Sequence, residues 1–497
     1  MQVEKTFSET KRKLLEIYLR GEVGHARAFP SKITPRPAGM PVPLSLAQEQ
    51  LWTGEQILGG GLLPYNESVT IRASSWLDAA ALEHSLAEIV RRHEIWRTTY
   101  DTVNGQPIQV IHPAPATFPL RVADLRKIPE PKREAELLNL ATEAVREPFN
   151  LKSGPLLRAA LVRLASTDQR LLVFAHLSVL DGVSVYQILP FELGVLYEAF
   201  SAGRPSPLPE LTIQYADYAY WQRQWLRDDE LAKQLAYWRE QLSGQLPLLG
   251  WPTERPRPPV QTQHGAIQRF GVGRSLTDAL KKVSRGEGVT LFTVLLASLG
   301  VLLYRYTRQV DLTVGTPSPA GRKRSEVRPL LGYFLNPVAL RLDLDGNPLF
   351  RELLQRVRRV IAGAISYDDV PIEFLAKELQ LEPDPSRSKL FTVAISLQPQ
   401  TPTMETGWSV TSMDADSGGS VWDMYLAFIE TESGLIGRAQ YNTDLLEPAT
   451  VTYMLEDLRR LMEVVTADPA LPISSVSSNE QSVGTSVSVW QTPTDQR

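Results

Sequence analysis

His176 and Asp181 stand in the stretch His176-Leu177-Ser178-Val179-Leu180-Asp181-Gly182, and they are the side chains there that could hold, orient or take a proton. An imidazole can act as a general base near neutral pH. A buried carboxylate can fix a loop through an ion pair. Leu177, between them, has no donor, no acceptor and no titratable group. His176 closes a run of strand character, so alternation turns its side chain away from that of Leu177. A buried, hydrogen-bonded histidine is therefore expected rather than a base. Gly182 serves either a tight turn or the close passage of a ligand chain past the backbone.

Other chemistries find little support. The chain has no cysteine, which excludes disulfides, thiolate metal sites and a cysteine nucleophile. Its histidines show no metal-ligand spacing, and no metal is expected. No phosphate-cradling or dinucleotide-binding glycine pattern is present. Gly59-Gly60-Gly61 reads as a loop, and so does Asp416-Ser417-Gly418-Gly419-Ser420. A formal net charge of −4 over 497 residues gives no reason to expect nucleic acid or an anionic membrane as partner. With 43% hydrophobic and 22% charged residues the composition is that of a globular protein, and a cytoplasmic monomer is expected.

The elements that must carry the stretch follow from pattern. Leu77–Arg92 has helical spacing with Asp78 near its start, and Asn104-Gly105 joins two strands, Arg97–Thr102 and Pro107–His112. Leu156–Leu164 and Arg170–His176 read as a further strand pair. Val183–Ala202 then reads as a helix, so the stretch lies in a strand-to-helix loop, where α/β proteins tend to keep their chemistry. In the second half, Leu276–Arg285, Leu291–Tyr306, Phe350–Ile365 and Ala449–Val465 read as helices. Asp311–Thr316, Val393–Gln398 and Met424–Glu430 read as strands. The fold class is α/β with mixed sheets, in two lobes. The expected layout is a helix (7–22) and proline-rich linker within 1–42, a first lobe over 43–210, a crossover over 211–265, a second lobe over 266–472 and a disordered tail over 473–497.

Several blocks in order carry a family resemblance. Ser45-Leu46-Ala47-Gln48-Glu49-Gln50-Leu51-Trp52 resembles Ser-x-Ala-Gln-x-Arg-Leu-Trp, and Arg92-His93-Glu94-Ile95-Trp96-Arg97-Thr98 resembles Arg-His-Glu-x-Leu-Arg-Thr. The central stretch is similar to His-His-x-x-x-Asp-Gly. Tyr215–Trp221, Gly332–Pro337 followed by Arg341, Tyr367–Glu373 and Asp384–Phe391 are similar to four further blocks. The chain is thereby identified as a member of the condensation domains of nonribosomal peptide synthetases. Departures fall at Gln50, Leu177, Pro337, Asp368 and Pro383.

The resemblance implies two lobes like chloramphenicol acetyltransferase, in a V with a central tunnel. It implies donor and acceptor carrier proteins as partners, whose phosphopantetheine arms bring acyl or aminoacyl thioesters into the tunnel. No cofactor bound directly to the chain is implied. Leu177 stands at the position of the second, catalytic histidine, and His176 at the first. Asp181 pairs in the family with an arginine, for which Arg341 is the first candidate and Arg97 the second. Gly182, Ser184, Trp221, Asn336 and Pro337 match positions near the tunnel or the lobe contact. The helix over 7–22 is a candidate docking segment for an upstream synthetase. The function implied is that of a non-standard condensation domain of a peptide or hybrid polyketide-peptide assembly line, with amide-bond formation impaired, absent or of unusual mechanism. The alternative is a catalytically silent domain that gates or recruits a tailoring enzyme or carrier protein.

Overall fold

The computed structural model describes residues 32–477, apart from 58–62, 251–252, 254, 383, 389, 399–406 and 412–414. The helix expected over 7–22, Gly59-Gly60-Gly61, Pro383 and the tail beyond 477 lie outside the described residues. Strands of the first half are β1 (Val42–Pro43), β2 (Asn66–Ala73), β3 (Thr98–Val103), β4 (Gln106–Ile111), β5 (Arg121–Asp124), β6 (Leu157–Ala165) and β7 (Asp168–His176). Those of the second are β8 (Gly265–Gly273), β9 (Asp311–Ser318), β10 (Asn336–Asp343), β11 (Val393–Gln398), β12 (Ser409–Thr411), β13 (Met424–Thr431) and β14 (Gly434–Asn442).

Local chemistry accounts for most boundaries. The Asp78 carboxylate accepts from the Ala81 N–H and so caps the helix Ala79–Arg92. Asn104 and Gly105 both take positive φ, 51° and 76°, which is the turn that matches the twist of the β3–β4 hairpin. The apolar run Leu171–Ala175 makes β7 a strand buried on both faces. The expected helix from Val183 opens with one π-helical turn, Ser184–Ile188, before the α-helix Leu189–Ser201. Wide turns of this kind occur mostly at functional sites.

Sheet order separates two lobes. The first is built on the order β12-β2-β7-β6-β5, the second on β10-β9-β11-β13-β14-β8, and β1-β4-β3 forms a small third sheet. Two stretches of the second half nevertheless belong to the first lobe. β12 adds itself antiparallel to the edge of β2, with Val410 opposite Ile71. The loop between β9 and β10 sends Val327, Leu330, Leu331 and Phe334 into the core of the first lobe. The proline-rich segment is also not a free linker: Ile33 is buried in that same core, and the Arg36 guanidinium pairs with Asp217 and Glu94. At the other end, Ile473–Ser477 is a short helix with Ile473 and Val476 buried, so order extends past the expected start of the tail.

Gly315, on β9, shows how tightly the second lobe shapes its surface. A Cβ there would lie 2.0 Å from Cε2 of Phe391, a ring that lines the cavity between the lobes. Gly315→Ala is expected to destabilise the protein by about 1–3 kcal/mol, since the ring has to leave its place. The midpoint of urea unfolding measures this.

Candidate active site

β7 ends on His176, and the chain turns through Leu177–Val179 in a single 3₁₀ turn. His176 is buried. Its Nδ1 accepts from the Ser178 N–H at 3.2 Å and lies 2.8 Å from the Ser178 hydroxyl. With Nδ1 held as acceptor, the neutral ring carries its proton on Nε2, 3.5 Å from the Glu55 carboxylate. The rings of Tyr65 and Phe149 meet the imidazole edge-on. Asn66, opposite His176 in the β2–β7 register, donates to the carbonyl of Val145 on the helix Glu130–Arg146. His176 therefore faces that helix and is not part of the cavity wall.

Leu177 faces the other way. It packs with Ala47, Leu51, Tyr65, Tyr333 and Leu335, and it lines a cavity of about 420 Å³ between the two lobes. Gly182 and Pro337 line the same cavity. β13 and β14 form its far wall through Tyr425, Ala427, Arg438 and Gln440, which alternation places on one face of their sheet.

Asp181 is held by Arg322, which corrects the expected partner. Arg322 Nε and Nη2 donate to the two carboxylate oxygens at 2.9 and 2.8 Å, and Nη2 also donates to Ser184 Oγ at 2.8 Å. Nη1 donates to the carbonyls of Val327 and Leu330. The guanidinium lies over the Phe334 ring, 4.1 Å from its centroid. All five N–H bonds are thus used. The carboxylate also accepts from the backbone N–H groups of Ser184 and Phe334. This bridge ties the motif loop to the crossing loop between β9 and β10.

Arg341 instead pairs with Asp311 at 2.7 Å, at the distal end of the β9–β10 pair, because five residues of extended strand carry it away from Asn336. Arg97 donates to the carbonyl of His112 and sits 3.9 Å from Glu94, held at the β3–β4 hairpin by its own turn. Neither reaches Asp181.

Three other expected tunnel residues are absent from the cavity wall. Ser184 is buried in the Arg322 bridge, where its hydroxyl also bonds the backbone of Gly332. Trp221 stacks on Trp225 at 5.1 Å between centroids and carries the Arg324 guanidinium on its face, so it is a packing residue. Asn336 spends its amide hydrogens on the carbonyls of Asp368 and Val370 and accepts from Gln50. Asp368, at a departure from the family pattern, is buried and pairs with Lys323.

Sequence reasoning passed over Glu67. It lies on β2 opposite Ala175, one step out of phase with the Asn66–His176 pair, and so on the cavity side of the sheet. The signal was a lone acid among β-forming residues, Val69 and Ile71, on one strand face. Burial pushes its carboxyl up to about 7, and the Arg438 guanidinium pulls in the opposite direction. The folded protein therefore keeps this proton to higher pH than the unfolded chain, which releases it near the ordinary value of 4.5. Stability associated with Glu67 is full below that value and is lost as pH rises towards 7. Glu67→Gln is expected to unfold at higher urea than the parent at pH 8, with the gap closing by pH 4. Parallel urea titrations at both pH values check the sign.

The condensation-domain family profile matches residues 40–482. The chain belongs to the condensation-domain family. The linear gramicidin synthase of Brevibacillus parabrevis contains a region 44% identical to 86% of the chain, which spans 8% of that relative's length. Among solved structures, the X-domain of teicoplanin biosynthesis, in its complex with OxyB, is 26% identical with a TM-score of 0.77, over 91% of this chain and 99% of that one. The first condensation domain of the calcium-dependent antibiotic synthetase has a TM-score of 0.76 at 21% identity, over 88% of this chain and 98% of that one, which shows the shared fold. The lobes of this condensation domain are thus of the chloramphenicol acetyltransferase kind. Domains of this family in nonribosomal peptide synthetases work with carrier proteins that bear phosphopantetheine. Among the described residues no single helix is long and apolar enough to cross a membrane.

Proposed function

We propose that this condensation domain receives carrier-tethered acyl or aminoacyl thioesters in the cavity between its lobes and holds them with little imidazole-assisted amide formation. The observation that carries this reading is the pair of orientations at 176 and 177. A leucine occupies the cavity wall where the family has its second histidine, while the remaining histidine is buried on the opposite face with Nδ1 engaged. The cavity itself is kept, and the Asp181–Arg322 bridge holds its floor. A pantetheine arm is a narrow chain with two amides. Gly182 leaves the wall low beside it, and the side-chain amides of Gln50 and Gln263 line the same space.

The test presents a donor carrier bearing an acyl group and an acceptor carrier bearing an aminoacyl group, and follows binding by calorimetry and product by intact mass. Carrier binding without amide product at peptide-synthetase rates is the expected result. Rapid turnover by the parent protein overturns the impaired reading. Failure of both loaded carriers to bind overturns the carrier reading as a whole.

A second reading, recruitment of a tailoring enzyme, is favoured by the likeness to a domain solved in complex with OxyB. Recruitment through an outer surface predicts that such binding survives a Gly182→Trp plug in the cavity, whereas carrier-arm binding does not.

A further inference from the structure

Glu67 is an acidic group in the cavity wall that thioester holding leaves without a task. Three observations bear on it. The β2–β7 register puts its side chain on the same sheet face as Ala175, and position 177 follows two residues later on that face, so Glu67 and Leu177 line one cavity as diagonal neighbours. Among the described residues its carboxylate makes no hydrogen bond and no ion pair within 4.0 Å. Its surroundings are largely apolar, with Leu177, Leu180 and Val185 beside it. Arg438 and the Tyr425 hydroxyl face it from β14 and β13, and Glu373, Asp384 and Arg387 are the other charged groups of the cavity.

A carboxylate in such a wall is under-compensated until something brings it a cation with N–H donors. We infer that Glu67 is the ammonium-binding residue of the cavity, holding the protonated amino group of a carrier-tethered acceptor. This rests on the carrier-holding reading and deepens it by naming the charge that the cavity selects. It also gives holding a physical cause: an amine kept as ammonium has no free lone pair for attack on a thioester. Position 177, which offers no base, does nothing to remove that proton.

Two amide analogues of a loaded arm separate the possibilities, glycyl-aminopantetheine with a terminal ammonium and acetyl-aminopantetheine without one. Calorimetry on the full chain at pH 8 is expected to show about a tenfold preference for the glycyl probe, the size of a hydrogen bond to a charged group. Glu67→Gln is expected to bind both probes alike, at the affinity the parent shows for the acetyl probe; Glu67→Met is the second variant should the first fail to fold. Equal binding of the two probes by the parent, or a preference that survives in both variants, overturns the inference and leaves the carrier reading standing. Failure of the parent to bind either probe overturns both.

Discussion

Leu177→His is expected to raise amide formation between loaded carriers by about 10²–10⁴-fold, the usual contribution of a positioned general base. The substitution puts an imidazole where the cavity wall now presents a branched alkyl group. The phenol rings of Tyr65 and Tyr333, already packed with Leu177, leave a pocket of suitable breadth for a ring. His176 cannot supply the same effect in the parent, because the strand turns it to the other face of the sheet. Proximity in the cavity supports a slow uncatalysed attack in the parent, since alignment alone can lower a barrier by about 7–11 kcal/mol. The measurement is the time course of acceptor-carrier mass for the two proteins side by side. A variant no faster than the parent would show that the lost imidazole is not what limits the reaction.

Arg322→Ala is expected to cost about 3–5 kcal/mol, the range for removing one partner of a buried ion pair. Asp181 would keep only two backbone donors, from Ser184 and Phe334. The carbonyls of Val327 and Leu330 and the hydroxyl of Ser184 would lose their donor at the same time. Arg322→Lys restores charge but not the fork that reaches both carboxylate oxygens, so it is expected to recover only part of the loss. Arg341→Ala is the control. Its partner Asp311 is 42% exposed, and breaking a surface pair costs less than about 1 kcal/mol. Urea unfolding of the three variants ranks them, and equal losses at 322 and 341 would contradict the assignment of the bridge.

The contrast between those two arginines shows where sequence reasoning reached its limit. Arg341, Arg97 and Arg322 carry the same guanidinium, and nothing local distinguishes them as partners for Asp181. Arg322 is 141 residues away along the chain and arrives only because the loop after β9 crosses into the first lobe. Trp221 and Asn336 were similarly legible as special residues but not as packing and backbone-bonding ones. Their roles depend on Trp225, Arg324, Asp368 and Val370, which come from elsewhere.

What the sequence determined by itself was whatever is local. A cap at Asp78, a turn at Asn104-Gly105 and the alternation of Leu157–His176 place their elements within a residue or two, because each rests on neighbours along the chain. The same alternation separated His176 from Leu177, and the ordered blocks identified the family. Only the tertiary structure decided which guanidinium neutralises Asp181, which strand closes the edge of β2, and that Glu67 shares a cavity with Leu177. Each of those depends on how two lobes meet, and a sheet face becomes a cavity wall only when another lobe stands opposite it.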